Sequence, residues 1–186
     1  MTSSAISSAM RYAMIQEHNF DTMPVLPPKP SNTQLGYYID AQKRLYLSIS
    51  RFPTYTSDAK RVVNEYMEAL DDDSILYNAN LKSHKMLYPY VESATDIIDY
   101  KTEHLLGCYW YAMLLSHTAG GSMMATQSDS AFFKLARDQN DHADILKESF
   151  DVVSERWSPR QKRLCVSEVP LAFAIGQTVL RYCCDS

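Results

Sequence analysis

From Asp99 to Ser128 the chain reads DYKTEHLLGCYWYAMLLSHTAGGSMMATQS, its longest weakly charged stretch. Two of the chain's five glycines, Gly120 and Gly121, sit side by side within it. Helix interiors avoid glycine, because each one costs about 1 kcal/mol against alanine. A pair flanked by apolar, helix-forming sequence points to a kink, or to a helix backbone that lies close to something flat.

The rest of the chain must fold around this stretch. Its 186 residues fit a single domain over 1–186, and 46% hydrophobic residues are enough for a sizeable core. A net charge of −4 gives no general electrostatic reason to bind nucleic acid. No run approaches 18 uninterrupted apolar residues, so no membrane span is expected. Cys108, Cys165, Cys183 and Cys184 form no CxxC pair. They read as reduced thiols of a cytoplasmic protein.

Apolar residues recur at three- and four-residue spacing along most of the chain, and no stretch alternates with period two. Ile6, Met10 and Met14 mark a first helix to about His18, with Ser3 or Ser4 as its cap. Pro24, Pro27, Pro28 and Pro30 make 19–31 an extended, proline-rich strap. A second helix runs from Asn32 or Thr33 to about Ser50, and a third from a Thr56 or Ser57 cap to about Leu70. The triplet Asp71-Asp72-Asp73 reads as a break and N-cap, with a metal site as the alternative. A short fourth helix follows to about Met86, ended by Pro89. Ser93 to about Thr118 is one long helix, bent near the glycine pair. The next starts at a Ser128 or Asp129 cap and extends to Val153. Trp157-Ser158-Pro159 opens the last, kinked at Pro170. The predicted fold is all-α, a single compact bundle of about seven helices.

Five histidines, His18, His84, His104, His117 and His142, are the natural candidates for metal chemistry. Taken singly, each reads as a structural or surface residue rather than a ligand. Two segments and the spacing of the tail resemble the haem oxygenase family. MRYAMIQEHNF is similar to the family's first helix, with His18 at the place of the haem-ligating histidine. YWYAMLLSHTAGG resembles the distal-helix motif, with Gly120 and Gly121 matching its last two glycines and Tyr111 its tyrosine near a propionate. The tail, from the Phe132-Phe133 pair through a Ser-Pro boundary to the final helix, follows the family's spacing and puts Phe173 at a pocket-facing position.

The resemblance implies oxidative cleavage of haem to biliverdin, iron and carbon monoxide. Haem is both substrate and cofactor there, O2 is consumed, and electrons come from a soluble ferredoxin or a reductase. His18 is then the axial ligand, and Gly120 and Gly121 bring the kinked distal helix's backbone to the opposite haem face. His117 or Ser116 positions water, and Arg11 meets a propionate. The chain departs from the pattern in three places. His117 stands where the family usually has an aspartate, Ser116 replaces the motif's first glycine, and Met113 replaces its arginine. Lys147 is the one base near the usual propionate partners, displaced by a turn position.

Two other readings stay open. Asp138 and His142, four residues apart, could join Glu103-His104, Glu17-His18 and Glu65 in a carboxylate–histidine diiron site. Alternatively, the helical domain is a non-catalytic haem carrier or structural protein.

Overall fold

The computed structural model describes residues 5–17, 26 and 29–185, with only the backbone of Ser122 and Met123. Among the described residues nine α-helical segments follow in order: α1 Ile6–Glu17, α2 Asn32–Ile49, α3 Ser57–Tyr77, α4 Leu87–Asp99, α5 Glu103–Ala125, α6 Ala131–Asp138, α7 His142–Ser154, α8 Pro159–Ser167 and α9 Val169–Cys184. A 3-10 turn at Leu81–Ser83 lies between α3 and α4, and no strand occurs among the described residues. The all-α expectation holds. Most of the proline strap, and the proposed caps Ser3 and Ser4, lie outside the described residues.

Local chemistry explains where the helices start. Ser31 caps α2: its hydroxyl accepts from Gln34 N at 3.1 Å, and Gln34 Oε1 accepts from Ser31 N at 3.0 Å. Ser158 and Gln161 repeat this reciprocal box at α8, with Pro159 at a position whose N–H no helix needs. Thr56 caps α3 as expected.

Several boundaries differ from the sequence expectation. Helix α3 runs straight through Asp71–Asp73 and stops at Asn78, whose φ of 42° is left-handed. Pro89 does not end a helix. It sits in the first turn of α4, where its missing N–H costs nothing. Residues 100–102 divide the expected long helix into α4 and α5. Helix α5 then continues unbroken through Gly120-Gly121 to Ala125. Ser130, not Ser128 or Asp129, caps α6, and residues 139–141 separate α6 from α7. Pro170 lies in the first turn of α9, so it opens that helix rather than kinking one.

Helix α5 is the axis of the molecule, touching α1, α2, α6, α7, α8 and α9. Residues 106–112 are all buried, as a helix surrounded by others requires. Trp110 packs in an aromatic group with Phe52, Phe150 and Trp157. Each such side chain contributes roughly 2–3 kcal/mol by leaving water. Gly107 makes this group possible, since a Cβ there would sit 2.8 Å from both Phe52 and Trp157.

Helix α1 is tied down at its start. Asp151 of α7 accepts from Ser7 N at 3.0 Å and from Ser7 Oγ at 2.6 Å. The Tyr111 hydroxyl of α5 donates to Ser7 O at 3.3 Å. Helices α8 and α9 together, Pro159–Cys184, hold an 18-residue window of mean hydropathy 1.2, long and apolar enough by composition to cross a membrane. Here α9 lies against α1, α2, α4 and α5, with Val169, Ile175 and Val179 in the core.

Candidate functional site

The four distal residues proposed from sequence divide between two flanks of α5. Ser116 and Gly120, four residues apart, are exposed, and a Cβ built on Gly120 would meet no atom within 4 Å. His117 and Gly121, also four apart, are buried. A Cβ on Gly121 would come within 2.8 Å of His117 Cε1 and 3.0 Å of Ala136 Cβ, so this glycine lets α5 approach α6. The close approach signalled by the pair is therefore made at Gly121, and its partner is another helix.

His117 is fixed within that contact. Its ring stacks on Phe132, with centroids 3.6 Å apart and planes 13° apart. Its Nε2–H donates to Phe132 O at 2.7 Å. Tyr66 of α3 meets the ring edge-on at 5.2 Å. Burial pulls the imidazole pKa down to about 4, and the backbone hydrogen bond only partly opposes this, so the ring is neutral at pH 7. His117 is thus turned away from the open flank where water beside a haem would have to be held.

The other predicted residues are scattered in environment. Tyr111 is buried and already donates to Ser7 O, and burial, with Asp151 nearby, raises its phenol to about 12. Arg11 is exposed on α1, near enough to Tyr111 for its charge to act on the phenol. Phe173 is half-buried on α9, at the edge of the core. Lys147 pairs with Asp144 at 3.5 Å. His18 lies outside the described residues.

Among the described residues, the carboxylate–histidine set is brought together across helices only at one pair. His142 Nε2 lies 3.3 Å from Glu65 Oε2 without forming an aligned hydrogen bond. Its Nδ1 lies 3.0 Å from the Tyr66 hydroxyl. With its proton on Nε2, facing the carboxylate, the ring accepts from Tyr66 at Nδ1. Asp138 is exposed and held by Arg137 at 2.6 and 3.1 Å. Glu103 accepts from Arg156 Nη2 at 2.6 Å and from Trp157 Nε1 at 3.0 Å. His104 faces the same Trp157 ring, centroid to centroid 6.3 Å. Among the described residues no three His, Cys, Asp or Glu side chains are grouped to hold a metal ion.

Sequence reasoning missed two features. One is the line of contacts Glu65–His142–Tyr66–His117, half-buried at Glu65 and buried at the other three, which crosses α3, α7 and α5. Helical spacing shows each residue's own face, but not that the faces meet. The other is a shallow groove of about 360 Å³ between α3 and α6, walled by Glu65, Glu68, Asp72 and Asp138. The i, i+3, i+7 spacing of the three α3 acids was a visible signal for it. The chain matches no family model, no curated protein and no solved structure.

Proposed function

We propose that this chain binds haem against the open flank of α5 and, as the resemblance to haem oxygenases implies, cleaves it to biliverdin, iron and carbon monoxide. The observation that carries the reading is the open space at Gly120, bordered by the exposed Ser116 and Ala119. Small residues on one side of a helix allow its backbone to lie against a flat plate. His117 and Gly121 do not fit that role, because α6 already occupies them.

Haem, when bound, supplies the iron that activates oxygen and the ring that is cleaved. The chain's own residues bind and orient it. His18, next in sequence after α1, would ligate the haem iron. Arg11, exposed on the same helix, offers a cation for a propionate. The Ser116 hydroxyl takes over the holding of water. Electrons come from ferredoxin or a reductase.

The burial of His117 favours a second reading, haem binding without turnover. With a pKa near 4 and its Nε2 proton given to a carbonyl, that residue delivers no proton to the open flank. A hemin titration separates the possibilities. A Soret band that weakens sharply in His18→Ala and in Gly120→Leu supports binding at the flank, and its absence in the wild type refutes both haem readings. If the haem complex gives a bilin spectrum with ferredoxin or ascorbate, the oxygenase reading stands; a stable haem spectrum leaves the carrier.

A further inference from the structure

Three separate helices place sulfur at one buried point. Met10 of α1, Cys108 of α5 and Cys165 of α8 have no solvent exposure. The Cys165 thiol is 3.9 Å from the Met10 sulfur, and on its other side Cys165 is close enough to Cys108 to raise that thiol's pKa. Cys165 therefore joins the other two, and both cysteines are free thiols.

We propose that Met10, Cys108 and Cys165 form a soft-metal site that takes up one Cu(I) ion. Metal–thiolate bonds of about 2.3 Å set the donor sulfurs of a three- or four-coordinate ion about 3.8–4.0 Å apart. The Cys165–Met10 separation falls in that range. Thiolate and thioether donors in a water-free setting select Cu(I) over ions that prefer oxygen. Uptake is a proton exchange without oxidation. Each thiol releases one proton to solvent and its sulfur bonds to copper, while Met10 donates a sulfur lone pair. Two thiolates and Cu(I) leave one negative charge, which Lys101 favours and its ion-pair partner Glu168, the larger influence on Cys108, opposes. Without metal, the neighbouring Cys165 thiol and burial keep the Cys108 thiol protonated. Met10 is carried by α1, so lifting that helix withdraws one ligand and opens one side of the site.

The test is titration of the reduced full-length protein, without oxygen, with Cu(I) buffered by bicinchoninate. One copper per chain should be withdrawn, with ultraviolet thiolate-to-copper absorption and release of two protons. Cys108→Ser and Cys165→Ser should each weaken binding by on the order of 100-fold. Met10→Leu conserves volume, keeps the fold and should weaken it about tenfold. The double variant Cys183→Ser, Cys184→Ser should bind as the wild type. No uptake, or uptake lost only in that double variant, overturns the proposal and leaves the three sulfurs as core packing. Should the single cysteine variants fail to fold, X-ray absorption of the wild-type complex decides. Three sulfur neighbours support the site, and a shell containing nitrogen or oxygen overturns it.

Discussion

Gly120 and Gly121 are adjacent in sequence, yet the same substitution should act on them with opposite sign. Gly120→Ala adds a methyl into open space and removes backbone entropy from the unfolded chain. It should stabilise the protein by about 0.5–1 kcal/mol. Gly121→Ala drives a Cβ into His117 and Ala136 and should destabilise by about 1–3 kcal/mol. Urea denaturation of the two variants checks both signs, and equal shifts would refute the division of flanks. His117 carries a second expectation. Its pKa is near 4 when folded and at an ordinary 6.5 when unfolded. Between these values the unfolded chain binds the extra proton, so stability is full above pH 6.5 and falls as pH drops towards 4. The whole loss from this one ring is at most about 3 kcal/mol. His142 acts in the same direction: burial lowers its pKa, opposed by Glu65 and Asp141 and reinforced by Arg61. His117→Gln should therefore be less stable than wild type at pH 7.5, with a smaller further loss between pH 6.5 and pH 4.5. Parallel urea midpoints in the two proteins across that range would rule this out.

Helix α6 shows how an element can depend on a residue far along the chain. It has eight residues, too few to hold itself in water. Buried Asp73 of α3 accepts from Ser130 Oγ at 2.6 Å, Ala131 N at 2.8 Å and Phe132 N at 3.0 Å. Ser130 adds its own cap to Phe133 N at 3.2 Å. Asp73→Ala strips three bonds and leaves buried donors unpaired, a loss of about 3 kcal/mol. Amide exchange at Ala131 and Phe132 should accelerate before that of the α5 core; unchanged protection at those two amides would remove Asp73 from the capping role. This element also marks the limit of what the sequence discloses. The Asp triplet was readable as capping chemistry, but local sequence pointed to the helix beginning beside it. The capped helix lies 57 positions away, a distance only the packed fold closes. Ser158-Pro159 was legible because its signal and its effect are three residues apart. Breaks at 100–102 and 139–141 were not, since neither contains glycine or proline. The site was legible to the same degree: the glycine pair signalled a close approach, but not which flank made it or against what.

At the scale of the whole molecule, α1 is the piece on which both proposed ligands depend. It precedes His18, carries Arg11, and supplies Met10 to the sulfur cluster. Its described polar anchors are few: Ser7 with Asp151, and the Tyr111 hydroxyl on Ser7 O. Its apolar contribution rests on buried Ile6 and Met10, with Ala13 and Met14 half-buried. Such an element opens at lower free energy than the core around α5. Asp151→Ala removes two of the three anchoring bonds, a loss of about 1–3 kcal/mol. That is enough to detach α1 without unfolding the α5 assembly, which keeps its aromatic group intact. Limited proteolysis should then cut within α1, while the main melting transition shifts little. Haem and Cu(I) affinities should fall together in Asp151→Ala, because both ligands need α1 in place. Gly120→Leu should lower haem affinity alone, and Cys108→Ser copper alone. Should Asp151→Ala instead lower the melting temperature of the entire protein and leave α1 resistant to protease, α1 is an integral part of the core. Cu(I) could then not reach the buried sulfurs by the opening of α1.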